Sequence, residues 1–216
     1  MTIGRRGFLT GCGAWFAAPA ARAFSLPAGG ALEFAVIREG SRIGTHRLVF
    51  GGDPDNLTVR IKVDLSVGLG PITLFRYRHR AVETWRGGQV FSIDSETDAD
   101  GTPYKMSALR GSDGLVVEAS KAARYIAPDN ALPATHWNRR MLDGPMINTQ
   151  DGRLMRPKVT ELGPEPIPTA AGAAIRADRF SLSGDATLDT WYDDGPNWAG
   201  IRFLAGDRSQ IRYVRV

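Results

Sequence analysis

The sequence predicts an all-β protein: an antiparallel meander forming a strongly curved sheet or barrel, with one short helix or loop segment near 133–143. Three observations predict it. From Leu32 onward, apolar and polar residues alternate with period two, as strands with one buried face require. Turn signals such as Glu39-Gly40-Ser41, Gly87-Gly88, Asp100-Gly101 and Gly206-Asp207 separate the runs. The spacing between runs is short, which favours hairpins over βαβ crossovers.

Taken in order, the chain opens with a stretch of different character, RRGFLTGCGAWFAAPAARAF at residues 5–24. Arg5-Arg6, any residue, then Phe8-Leu9 matches a twin-arginine export signal. Ala21-Arg22-Ala23 is a small-x-small cleavage site, so residues 1–23 are expected to be removed and 24–216 to form a single β-barrel-like domain. The expected destination is the periplasm or the exterior, and the expected first partner is the twin-arginine export machinery, through Arg5 and Arg6. Leu9-Thr10-Gly11-Cys12 also fits a lipoprotein box, although little apolar sequence separates it from the arginines. A folded first helix is disfavoured by Gly11, Gly13 and Pro19. The apolar run falls short of the roughly 20 residues a membrane span needs.

Without residues 1–23, 193 residues remain, enough to bury a core unaided by staples. The single cysteine leaves with the leader, which excludes thiol chemistry and disulfides from the remainder. Three of the 27 basic residues leave with it as well. The remaining 24 face 23 acidic ones, a near-neutral balance that offers nothing for nucleic acid.

The clearest strand is Leu57 to Val67, aliphatic at every odd position. Ile72 to Arg86 is the most informative one. One of its faces carries Thr73, Phe75, Tyr77, His79, Ala81, Glu83 and Trp85; the other carries Arg76, Arg78, Arg80 and Arg86. Guanidinium groups on alternate positions resist burial, so the aromatic face is expected to point inward, taking His79 and Glu83 with it. The two lie about 13 Å apart along a strand, too far to form a dyad by themselves.

Residues 129–149 break the alternation. Thr135 is placed to cap a short helix from His136 to Leu142. His136-Trp137-Asn138 is read either as a gate over a ligand cavity or as a plug in which Asn138 caps backbone groups. Gly163 to Thr169, rich in proline, reads as a stiff connector, and His46 as a structural strand residue. Trp191 and Tyr192 point to opposite sides of a C-terminal strand.

No HxH, HxxxH or HExxH spacing, GxSxG elbow or phosphate loop is present, so no catalytic residue, metal ligand or cofactor is assigned. Asp98-Ala99-Asp100-Gly101 resembles the start of a calcium loop, but the later ligands do not follow; it reads as a hairpin turn. Candidate ligand-binding residues are Phe75, Tyr77, His79, Glu83, Trp85, His136, Trp137, Asn138 and Trp191.

Tyr77-x5-Glu83-x-Trp85-x2-Gly88, Asp100-Gly101, His136-Trp137-Asn138 and Leu188-Asp189-x-Trp191-Tyr192-Asp193 occur in that order. Together they resemble an uncharacterised family of exported proteobacterial β proteins, a domain of unknown function that often carries a twin-arginine signal. More remotely, the strand ending in Trp-Tyr-Asp is similar to lipoprotein-carrier-like curved sheets of the periplasm. That resemblance implies an apolar cavity for a lipid or other apolar ligand. The expected function is therefore a non-catalytic binding or carrier module for an apolar or amphipathic molecule. The alternatives are a structural envelope protein with a filled barrel and a histidine-dependent hydrolase or isomerase.

Overall fold

The alternating runs become long strands. The computed structural model describes residues 26–27, 29–69, 72–195 and 197–216, so the expected export signal, its expected cleavage site and Cys12 lie outside the described residues. Eight strands follow one another as hairpins: β1 (Ala31–Arg38), β2 (Ser41–Asp53), β3 (Asn56–Leu69), β4 (Ile72–Arg86), β5 (Gln89–Ala99), β6 (Thr102–Gly111), β7 (Gly114–Ala119) and β8 (Tyr125–Ala127). A crossing segment carries three two-residue strands, β9 (Leu132–Pro133), β10 (Met146–Ile147) and β11 (Leu154–Met155), which form a small sheet of their own. A second meander then runs through β12 (Lys158–Pro168), β13 (Ala174–Ser183), β14 (Leu188–Asp193), β15 (Trp198–Leu204) and β16 (Gln210–Arg215).

The two meanders join where β1 pairs antiparallel with β16, Val36 opposite Tyr213. Among the described residues this makes one antiparallel sheet of 13 strands, with β12 at one edge and β8 at the other. The sheet curves strongly but does not close, because its edge strands do not pair with each other. The crossing segment packs inside the curve. Trp137, Met141, Met146 and Ile147 join Phe34, Leu48, Val59, Ile93 and Val117 in one buried cluster.

Local chemistry explains the turns and edges. At the tip of β5 and β6, Asp100 and Gly101 both take positive φ, 54° and 83°, the geometry of a tight two-residue hairpin. The Asp98 carboxylate accepts the Gly101 amide at 2.7 Å, so the acidic cluster there is turn chemistry. The stretch 163–169, expected as a connector, is instead the last part of edge strand β12 and the turn after it. Pro164, Pro166 and Pro168 fall on alternate exposed positions, where an edge strand needs no amide donor. The same prolines deny that edge to a further strand.

The short helix also differs from expectation. It is a single 3-10 turn, Arg139–Asp143, and its cap is Asn138, whose side chain accepts from the Arg140 amide at 3.1 Å. Thr135, expected as the cap, is buried three residues earlier beside Glu83.

Gly44 shows how closely β2 and β3 approach. A Cβ there would lie 1.9 Å from the Asp64 carbonyl oxygen, which is backbone and cannot swing aside. Gly44→Ala is expected to lower the unfolding free energy by about 2 kcal/mol or more, measured by urea denaturation, whereas alanine at exposed Gly206, where a Cβ meets nothing, serves as the neutral control.

Candidate functional site

β4 turns its rings and carboxylate inward and its cations outward, as its alternation demands. His79, Ala81, Glu83 and Trp85 are buried, while Arg76, Arg78, Arg80 and Arg86 are exposed. Arg80 lies across β3 to pair with Asp64 at 2.6 Å on the outer face. Toward the start of β4 the core thins, so Tyr77 is half-buried and Phe75 is 37% exposed.

The residues of the inner face then separate into two groups. The first is a polar knot. Glu83 is fully buried, and its Oε2 accepts the indole N–H of Trp85 at 2.9 Å and that of Trp137 at 2.9 Å. Burial pushes the Glu83 carboxyl above its ordinary range, and bonds from Thr135, Trp137 and Trp85 oppose that shift. Trp137 stands edge-on to Trp85 and to Phe50, with ring centres 5.2 and 5.4 Å away. Glu83, Trp85, Trp137 and the capping Asn138 thus anchor the crossing segment, and none of them is among the residues lining the cavity of the second group.

The second group lines a cavity of about 850 Å³ inside the curve. Its walls are aliphatic and aromatic: Ile61, Val63, Met155, Leu182, Ile201 and Phe203 among others, with Phe75 and Leu74 toward the exposed end. Tyr77, His79 and His136 face it, and so do His46, Trp198 and Tyr213. All three histidines of the chain therefore meet one space. Strand register explains two of them. His46 on β2 pairs with Val63 on β3, and Val63 pairs with His79 on β4, so the two rings share a row two strands apart. His136 arrives from the crossing segment and stacks on Trp198, ring centres 5.2 Å apart and planes within 20°.

Their surroundings differ. His79 Nδ1 lies 2.7 Å from the Thr97 hydroxyl, and Nε2 lies 3.5 Å from that of Thr149. Burial lowers its pKa to about 4, with Arg80 adding to the effect. His46 falls to about 3, through burial first and then repulsion from His136 and His79. His136 falls to about 4 through burial. At neutral pH all three rings are uncharged. Burial, helped by Asp151, pushes the Tyr77 phenol up to about 12, and its hydroxyl donates to Gln150 at 3.1 Å.

Charge is confined to the rim and the outside. Arg38 pairs with Asp207 at the cavity mouth, and Arg153 pairs with Asp151 at 2.8 Å. A wider depression of about 970 Å³ on the outer face is bordered by Arg47, Arg60, Lys62, Asp94, Glu96 and Glu118, solvated charges of both signs.

Trp191 belongs to neither group. It lies on the outer side of β14 with Ala177 and Ala199, and its indole donates to Glu165 at 2.8 Å. Arg179 and Arg202 flank its ring. Tyr192, next along the strand, is buried in the main core, so the two rings do point to opposite sides. Sequence reasoning passed over the cavity roles of His46, Trp198 and Tyr213. The parity of His46 with Leu48 and Phe50 marked it as inward; its register opposite Val63 was not readable. Among the described residues, no group of three or more His, Cys, Asp or Glu side chains is arranged to hold a metal ion, and no helix is long and apolar enough to cross a membrane.

An open, strongly curved antiparallel sheet with a crossing segment inside it defines the class: a β-barrel-like protein. A solved structure shares that fold, the crystal structure of a β-barrel-like protein of domain of unknown function DUF1849 from Brucella abortus. The TM-score is 0.60 at 11% identity, covering 86% of this chain and 94% of that one. Residues 34–216 match the family described as domain of unknown function DUF6134, and the chain belongs to it. No curated protein matches the sequence.

The neutral histidines carry a pH signature. Unfolding restores each ring to its usual 6.5, so below that pH the unfolded chain binds protons that the folded chain refuses, and stability falls as pH drops from 6.5 toward 4. Each ring contributes up to about 1.4 kcal/mol per pH unit. Glu83, with its raised carboxyl, works in the opposite direction only as pH falls through its folded value toward 4.5. Denaturation at pH 6.5, 5.5 and 4.5 is expected to show His46→Phe losing about one third of the histidine-driven slope, whereas Glu83→Ala costs about 3 kcal/mol or more at pH 7 by removing the buried acceptor on which both indoles converge.

Proposed function

We propose that this protein is an exported, non-catalytic binding or carrier module that holds an apolar or amphipathic molecule inside its curved sheet. The observation that carries the reading is the cavity: about 850 Å³, walled by aliphatic and aromatic side chains, with one exposed end. That volume lies within the few hundred to 1,000 Å³ typical of small-molecule sites. The knot at Glu83 supports it further, because it fixes the crossing segment, whose Ala134, His136, Met146 and Met155 form part of the cavity wall. Within the candidate set, Phe75, Tyr77, His79 and His136 are the ligand-facing members.

The hydrolase or isomerase reading draws less support. His79 Nδ1 meets the Thr97 hydroxyl at 2.7 Å, but Thr97 does not line the cavity, and the hydroxyl that does, that of Thr149, lies 3.5 Å from Nε2, too long for a base poised on a nucleophile. The filled-barrel reading conflicts with the open interior.

Binding is tested with N-phenyl-1-naphthylamine, an apolar dye that brightens when desolvated. The purified protein is expected to bind it with saturation. Ala186→Trp, which places an indole at the cavity wall, is expected to weaken binding about tenfold or more; unchanged binding in that variant would place the dye elsewhere.

Export follows from the leader as read in the sequence. In a twin-arginine-competent bacterium, Arg5→Lys with Arg6→Lys is expected to retain the protein in the cytoplasm. The exported wild type is expected to begin at Phe24 by N-terminal sequencing.

A further inference from the structure

We propose that His46 and His136 form a polar subsite at the inner end of the cavity, which receives an uncharged hydrogen-bonding group, a hydroxyl or carbonyl, of an otherwise apolar ligand. The inference rests on the binding role proposed above and specifies the ligand's chemistry.

His46 is 7% exposed, lines the cavity, and has no hydrogen-bond partner for either ring nitrogen among the described residues. A neutral imidazole presents one donor and one acceptor, and buried polar atoms in folded proteins are nearly always paired. Rings surround it on the remaining sides: Phe34 at 6.2 Å, Trp198 at 5.2 Å and Tyr213 at 5.6 Å. The opening therefore lies toward the cavity. His79, two strands away in the same row on β4, shows the ordinary alternative, since threonine hydroxyls satisfy it.

His136 adds an independent observation. Its backbone sits at φ 65°, a conformation that non-glycine residues adopt sparingly and that clusters at binding sites. This places its ring flat on Trp198, the same indole that His46 meets edge-on, and its Nδ1 is buried with no partner among the described residues. Two elements distant in sequence thus bring unsatisfied imidazole nitrogens to one indole.

The chemistry of the surroundings selects an uncharged group. Arg38 and Arg153, the cationic lining residues among those described, lie at the rim and are engaged with Asp207 and Asp151, so neither offers a free countercharge at the inner end for a carboxylate or phosphate. Burial keeps both imidazoles neutral at pH 7. A hydroxyl can donate to one ring nitrogen and accept from another; a carbonyl can accept from whichever carries the proton.

The test uses decan-1-ol, decane and decanoate as competitors of N-phenyl-1-naphthylamine at pH 7.5, on the protein comprising residues 24–216. Wild type is expected to bind decanol at least about tenfold tighter than decanoate. His46→Leu is expected to shift the decanol-to-decane affinity ratio about tenfold toward decane, the size of one net hydrogen bond, and His46→Gln to recover much of it. His136→Phe, which keeps a ring over Trp198, gives a second reading should His46→Leu fail to fold. Equal losses for decanol and decane would make the histidines mere packing and overturn the subsite. Tightest binding of decanoate would overturn it while leaving the carrier reading intact. Failure of wild type to bind dye or any competitor would overturn both.

Discussion

One buried carboxylate organises the interior. Glu83 accepts hydrogen bonds from an indole on its own strand and from another on the crossing segment, 54 residues further along the chain. Burying an acid costs less when hydrogen bonds meet it, and both indoles converge on Oε2, so the two indoles and the acid stabilise one another's burial. Because Trp137 is held there, its neighbour His136 is turned the other way, onto Trp198. The interior is thereby divided into a filled part around Trp85, Trp137 and Met141 and a hollow part whose inner end holds His46, His136 and Trp198.

The sheet's connectivity makes that division possible. Each meander alone would be a curved ribbon with two bare edges. Pairing of β1 with β16 fuses them and brings the first and last strands to the middle of the sheet. The remaining edges are unattractive templates: β8 is three residues long, and β12 carries prolines on alternate exposed positions. An unclosed sheet can surround a cavity without sealing it, and the exposed end near Leu74, Phe75 and Asp207 is where the curve remains open.

The histidines contribute to this interior without carrying charge. Burial lowers all three rings, and His46 is lowered further by repulsion from His136 and His79, which keeps the cavity wall neutral at physiological pH. A neutral lining with charge confined to the rim suits a guest that is apolar along most of its length. It also separates the inner surface chemically from the outer one, where arginines and carboxylates alternate in water.

The period-two alternation by itself determined the strand character, the turn positions and the inward face of β4, because burial acts on every second residue independently of what lies opposite. It therefore placed His79, Glu83 and Trp85 inside and Arg76, Arg78 and Arg80 outside, as found. The β12 prolines misled, because proline in isolation signals a connector and only its place at a sheet edge makes it compatible with a strand. Tertiary structure alone decided that Trp137 meets Glu83, that His46 and His79 share a row, and that Trp191 lies outside the main core. These are relations across strands and between distant segments. Register and long-range packing set them, and neither leaves a local mark on the chain.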